Sequence, residues 1–454
     1  MSKVKEFVEF ELTKEFRDRF QEALDQGDKA FILESLAEVN PVDITALLYE
    51  FSPEESKFTL DILPVDLRAA IIKDLDSDTR KGFLKVYSPK EISEVINLLD
   101  SDDAADILNE LPIKVSEEVL AGLDPVVHAQ VIDLLRYDEN VAGGLMAKEL
   151  IKVRNHWSVV QCVEEIRKQA EQVEKFYTVF VVDEHDKLLG KVALQDLVIS
   201  GPNKLVADLI EQDIASVETY MPDTEVADIM KKYDLESVPV VNVQGQLVGR
   251  ITIDDIVDVI TEQADEDRQL MSGITEDVEE DDTVWKNTRA RLPWLLIGIF
   301  GGMLSARFMG LFEQELTRIT AIAFFVPLIQ ATGGNVGIQS SSLVVQSLAT
   351  SGRVDEGLVQ RLTKVLFVAL LNGFFLSVIV FGGNWLLFGN KQLSVVVSIA
   401  LFSVVVFASL VGTITPLILD RFGFNPAVAS GPFITTINDL LGLTMYFLTV
   451  MILL

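Results

Sequence analysis

The spacing of apolar residues changes character twice along this chain. From residue 293 onward they form long runs, roughly 293–312 (PWLLIGIFGGMLSARFMGLF), 319–349, 362–388, 393–419 and 427–454, parted by short polar turns such as SGRVDEGLVQR, FGNKQ and DRFGFN. A helix needs about 20 apolar residues to cross about 30 Å of hydrocarbon, so each run predicts one membrane span. Between 145 and 262 the apolar runs are short. FYTVFVVDEHDKLLGKVALQDLVIS (176–200) and LESVPVVNVQGQLVGRITIDDIVDV (235–259) align without gaps at an offset of 59, with Val182 on Val241, Gly190 on Gly249, Leu194 on Ile253 and Asp196 on Asp255. Each copy predicts a buried strand, a turn, a second strand after the glycine, and a helix with an acidic first turn. A helical stretch precedes each, SVVQCVEEIRKQAEQ and TEVADIMKKYD, so the unit is an α/β repeat that pairs with its twin to bury a core.

Upstream, in 30–136, the period is helical. NPVDITALLYEF, LPVDLRAAIIKDL and LDSDDAADILNEL each set Pro or Ser, then Asp, ahead of apolar residues at helical spacing. Short helices repeated in this way stack as a superhelix. The fold class that follows is a multidomain membrane protein. It has an all-α superhelical N-terminal domain (1–136), a tandem α/β pair (137–200 and 201–262), a connecting helix (263–292) and a five-helix transmembrane bundle (293–454).

Charge divides the chain at the same place. Residues 293–454 hold seven Lys/Arg and six Asp/Glu, leaving 31 and 63 in residues 1–292, a net of −32 against +1. An acidic surface repels phosphate backbones and attracts cations, so metal ions are expected partners and nucleic acid is not. MSKVKEFVEFELTKEF carries charge throughout and lacks an apolar core, so the acidic half is expected to stay in the cytosol. The single cysteine, Cys162, and three dispersed histidines leave no Cys-rich zinc site and no nucleophile with a base, and the reading is not that of an enzyme. With the acidic half inside, Arg289, Arg291, Arg353, Arg361, Lys364 and Arg421 flank the spans on the cytosolic side, against Arg318 and Lys391 outside. That satisfies the positive-inside rule and puts the C terminus outside.

Candidate chemistry centres on Asp439, the one acid inside a span. A carboxylate at mid-membrane costs about 2.5–3.5 kcal/mol on insertion scales, so it needs a partner or a water-filled path. It follows Pro432, Thr435, Thr436 and Asn438, which offer oxygen ligands and a proline able to free backbone carbonyls. The second span contains VPLIQATGGNVGIQSSSL, where Asn335 and Gln339 must find polar company. One carboxylate with neutral oxygens and no His or Cys selects a hard cation, and Mg²⁺ suits it because that ion keeps its waters and is held by one or two carboxylates. In a two-fold dimer with the pore on its axis, Asp439 supplies two. Elsewhere, Asp102, Asp103 and Asp106 are denser than helix capping requires, and the connector TEQADEDRQLMSGITEDVEEDDTVWKNTRARLP carries a heavy acidic load.

The tandem pattern over 145–262 resembles a pair of CBS domains. The whole order, together with GGNVGIQSS and NPAVASGPFITTINDLLG, resembles the MgtE family of magnesium channels and transporters over essentially the full chain. The resemblance implies a homodimer in the lipid of the cytoplasmic membrane, with hydrated Mg²⁺ at Asp439; Asn335 and Thr435 are read from their own polarity as groups beside the path. It also implies regulatory Mg²⁺ at Asp102 and Asp106, at Asp234, Asp255 and Asp258 in the second CBS unit, and at Glu266 and Asp267 in the plug. Such ions would lock the plug and close the pore when internal Mg²⁺ suffices. Gln263 and Asn425 stand where acids are expected, and both should weaken a cytosolic cation site. ATP at the CBS pair stays open, since no clear phosphate loop is present and CBS units hold nucleotides without one. Two other functions stay open at this level: a proton- or sodium-coupled exchanger in which Asp439 cycles its proton, and a membrane-anchored sensor that conducts nothing.

Overall fold

The computed structural model describes residues 12–170, 173, 178–275, 278, 283–350, 358–429 and 431–453. Arg353, most of the acidic run TEDVEEDD, Phe176 and Tyr177 at the start of the first repeat and the first eleven residues lie outside them. The chain divides into two bodies, residues 1–260 and 261–454.

In the first body, ten short helices run from Lys14–Gln26 to Pro125–Leu134 among the described residues. Their starts follow from capping chemistry. Ser52 and Ser88 form capping boxes with Glu55 and Glu91, and Pro41, Pro53, Pro89 and Pro125 occupy first helical positions where no N–H is needed. Two first-turn acids of this array, Glu55 and Glu91, are therefore used locally. Most of these helices pack mainly on one two places along: Pro41–Leu48 lies on Val65–Asp74, that on Pro89–Ile96, and that on Ile113–Leu120. The result is the superhelix the spacing predicts.

The two repeats fold alike. Strand β1 (Ile151–Arg154) pairs in parallel with β2 (Val179–Val182), which pairs antiparallel with β3 (Leu188–Val192). Likewise β4 (Val217–Glu218) runs parallel to β5 (Ser237–Val241), and β5 antiparallel to β6 (Leu247–Thr252). Backbone bonds from Leu188 N–H to the Gly245 carbonyl and from Leu247 N–H to the Asp186 carbonyl tie the two hairpins together. The second repeat shares one core with the helical array, in which Val131, Leu134 and Met146 join Val226, Met230, Ile251 and Ile256. The first repeat has its own core around Val153, Cys162 and Val181.

The second body contains five helices long and apolar enough to span: Val284–Phe312, Thr320–Leu348, Val359–Phe388, Lys391–Arg421 and Pro426–Leu453. The fourth is central, packing against the second, third and fifth, while the first lies on the fifth. Small residues allow the closest approach: a Cβ on Gly412 would sit 2.5 Å from the Gly337 carbonyl, and one on Gly337 would run into the Asn438 amide. These three residues mark where the second, fourth and fifth spans converge.

Two expectations change. The connector is not one helix. Helix Ile253–Met271 continues out of the second repeat, the chain turns at Gly273 with φ +80, and a new helix, Val284–Met309, runs straight into the first span. The turn lies against the start of the last span, where a Cβ on Gly273 would meet Pro432 at 2.7 Å. Pro432, for its part, frees no carbonyl from a helix interior: it is the second residue of helix Gly431–Leu453, where proline initiates rather than breaks a helix.

Candidate functional site

In the membrane body the candidate pore residues lie on the second and fifth spans. Asp439 is the ninth residue of Gly431–Leu453, about 12 Å along its axis at 1.5 Å per residue, and is half-buried. Thr435, one turn earlier and on the same face, donates its hydroxyl to the Gly431 carbonyl at 3.0 Å and touches the Gly334 position of the second span. Asn335, the next residue after Gly334, and Gln339, one turn on, both face outward from the bundle. Asn438 is buried between the spans, and neither atom of its amide has a protein partner among the described residues.

In the first body the structure gathers part of the predicted regulatory set. Helix Ser101–Glu110 carries Asp102, Asp103 and Asp106, and Asp100 precedes it; helix Ile253–Met271 brings Asp254, Asp255 and Asp258 up to them. What aligns the two is a polar seam. Ser101 donates its N–H and hydroxyl to Glu149 Oε2 at 3.1 and 2.7 Å, Arg250 Nε donates to the Glu149 carbonyl at 2.6 Å, and Lys148 pairs with Asp133 at 2.7 Å.

The acids tell how crowded this interface is. Loss of water, then Asp103, Asp255 and Asp100, push Asp102 well above the usual carboxylate range. Asp100 is pushed up to about 6 by burial, Glu149 and Asp103. Asp255 also reaches about 6 through burial, although Thr252 donates its N–H and hydroxyl to Asp255 Oδ2 at 3.1 and 2.8 Å and favours the charged form. Asp103, Asp106 and Asp258 are raised as well, each by loss of water first and then by neighbouring carboxylates or, for Asp103, against the pull of Lys73. Carboxylates that cannot comfortably ionise side by side are a place where a cation gains.

The remaining candidates sit apart. Asp234 is exposed at the C-terminal cap of helix Asp223–Tyr233, in the left-handed conformation at φ +53. Glu266 and Asp267 belong to the second body, where Asn425 Nδ2 donates to Asp267 Oδ1 at 2.9 Å while Asn425 Oδ1 accepts from the Ala427 N–H at 2.8 Å. Among the described residues no three His, Cys, Asp or Glu side chains form a ready-made shell for a bare metal ion. A hydrated ion, bound through its waters, asks for no such shell. Sequence reasoning did not single out Asp100, Asp254 and Lys73, whose relevance comes from contacts between distant segments.

Comparison with known proteins accounts for the layout. The family described as MgtE, divalent cation transporter, matches residues 326–449, its intracellular N domain matches 39–140, and CBS domains match 141–200 and 206–262. The magnesium transporter MgtE of Thermus thermophilus is 34% identical over 435 residues, covering 94% of this chain and 96% of that one. The magnesium transporter MgtE of Enterococcus faecalis is 33% identical over 318 residues, covering 69% of each. A crystal structure of the cytosolic domain of the Mg²⁺ channel MgtE in complex with ATP is 34% identical, with a TM-score of 0.51 over 54% of this chain and 99% of that one. With its N domain, CBS pair and five apolar helices in that order, the chain is a multi-pass membrane protein belonging to the MgtE family of divalent cation transporters.

Proposed function

We propose that this protein is a Mg²⁺-selective channel or facilitator that admits Mg²⁺ across the cytoplasmic membrane and closes when internal Mg²⁺ binds its acidic domains. The observation that carries the proposal is the polar face of the bundle. Asp439 and Thr435 are half-exposed and Asn335 and Gln339 exposed, on spans that would otherwise meet lipid. Pairing two copies across this face covers those groups and sets two carboxylates about one axis, which suits a hydrated divalent ion held by one or two carboxylates. The acidic half then lies in the cytosol and the C terminus outside, as the flanking Arg and Lys residues ask.

Regulation follows from the interface in the first body. Asp102, Asp106, Asp255 and Asp258 hold Mg²⁺ between helices Ser101–Glu110 and Ile253–Met271, and the ion favours the joined state by neutralising their repulsion. Glu266 and Asp267 extend the same control to the plug, and Asp234 contributes from the second repeat. The CBS pair takes ATP, a reading supported by the 34% identical cytosolic domain solved with that nucleotide.

The test is Mg²⁺ flux in proteoliposomes as internal Mg²⁺ is raised. A conductance that reverses at the Mg²⁺ equilibrium potential and falls with internal Mg²⁺ is the expected result. Reversal that follows the proton or sodium gradient would indicate exchange, and absence of any flux would indicate a sensor.

The plug contact yields a separate expectation. Asn425→Asp replaces a donor to Asp267 by a second carboxylate, so the junction should lose a hydrogen bond worth about 1 kcal/mol and acquire a repulsion that divalent ions relieve. The purified variant should melt lower than the wild type without Mg²⁺ and recover with it. Equal melting in both conditions would mean that this contact carries no gating strain.

A further inference from the structure

Lys73 reaches into the acidic interface. It lies in the last turn of helix Val65–Asp74, and its Nζ lies 2.6 Å from Asp103 Oδ2 with the lysine side chain 43% exposed. Burial works against its charge, but Asp103, Asp102 and Asp100 outweigh that and hold the ammonium protonated. The same ammonium also favours the charged form of Asp258 on the opposing helix.

A second cation nearby makes a contrast. Arg80 is only 14% exposed and donates twice to Glu110, at 2.9 and 2.7 Å, and to the carbonyls of Lys73 and Leu75 at 2.9 and 3.2 Å. A forked guanidinium held by four hydrogen bonds stays in place. An ammonium on a flexible stem with one carboxylate partner can be displaced by a stronger cation.

We propose that Lys73 is a resident counter-cation of this interface: it occupies Asp103 when divalent ions are scarce, must yield when they bind, and so sets the Mg²⁺ level at which the protein closes. The inference rests on the regulatory reading given above. Lys73 and Asp103 belong to the same helical array, so without Mg²⁺ their pair persists whether or not the two acidic faces meet. Closing around Mg²⁺ therefore includes the cost of separating that pair, and the apparent affinity is lower than the carboxylates alone would give. The ammonium has the opposite effect without Mg²⁺, because it softens repulsion between the faces and keeps part of the population joined.

Lys73→Met should thus move two readouts in opposite directions. In full-length protein in liposomes, the internal Mg²⁺ concentration for half-closure should fall by about tenfold, the scale of removing one competing charge. In Mg²⁺-free detergent solution the same variant should be cleaved faster by protease than the wild type, because its acidic faces part more readily. Lys73→Arg, which keeps the charge, should neither lower the midpoint nor speed cleavage, and Lys73→Gln, which keeps a polar end, should follow Lys73→Met. General destabilisation would raise the closing midpoint, so the opposed pair of changes is specific to competition. A midpoint unchanged or raised in Lys73→Met and Lys73→Gln, or lowered equally in Lys73→Arg, overturns the role of Lys73 alone. If Mg²⁺ does not close the wild type, the regulatory reading and this inference fall together.

Discussion

Asp439→Ala should abolish Mg²⁺ uptake while leaving the protein folded. The carboxylate sits about 12 Å along the last span, half-buried, one helical turn beyond Thr435, and no cationic side chain pairs with it among the described residues. Holding an acid there costs about 2.5–3.5 kcal/mol unless water and a cation reach it, so the residue is tolerable where it lines a hydrated path and unfavourable elsewhere. Removing it should stabilise the span in lipid and empty the path of its charge. The expected result is uptake at background, a loss of about tenfold or more if the site contributes at least 1.4 kcal/mol to ion binding, with unchanged elution on gel filtration. Asp439→Asn separates charge from shape: it keeps hydrogen-bonding capacity on a side chain of the same size. Loss in Asn as well as Ala identifies the charge as the required element, whereas undiminished uptake in Asn would return Asp439 to a packing role.

Much of this architecture was legible because it depends on local spacing. Five long apolar runs became five helices, and the two aligned repeats became two sheets of the same strand order, Val182 and Val241 closing β2 and β5 and Gly190 and Gly249 falling within β3 and β6. Capping chemistry placed the helix starts of the N-terminal array. The connector was misjudged because acids and apolar residues spaced for a helix do not reveal the turn at Gly273, which is set by its close packing against Pro432 in the last span. Candidate ligands divided on the same principle. Asp102, Asp255 and Asp258 come to one interface, where Asp102 faces Asp255 and Asp258 faces Asp103, while the carboxylates acting on Asp106 are Asp103, Glu139 and Glu110. Asp254 and Lys73 enter only through contacts between segments far apart in the chain. Asp234 has the right chemistry for a ligand, yet it stands exposed at a helix cap.

Neutralising the opposing face should leave the transporter open where the wild type is shut. Asp255 and Asp258 project from one helix toward Asp102 and Asp103 on another, and loss of water first, then the neighbouring carboxylates, raises the pKa on both sides and disfavours their ionising together. In Asp255→Asn with Asp258→Asn, the faces repel less but a divalent ion finds two fewer negative charges. If each contributes about 1 kcal/mol toward a hydrated ion, the closing midpoint in internal Mg²⁺ rises by about thirtyfold. Protons act on the same groups, with a sign that can be worked out. Asp100 and Asp255 stand at about 6 when the faces are joined, above the ordinary value near 4, so the joined state binds more protons. Its stability relative to the parted state therefore grows as pH falls from about 7 toward 4 and is lost on the way back up. Wild-type flux at low internal Mg²⁺ should accordingly decrease on acidification of the interior, and the double variant should lose part of that response along with its Mg²⁺ closure. Closure at the wild-type midpoint in the double variant would place the regulatory ions away from this interface and leave its acidic faces with a structural role.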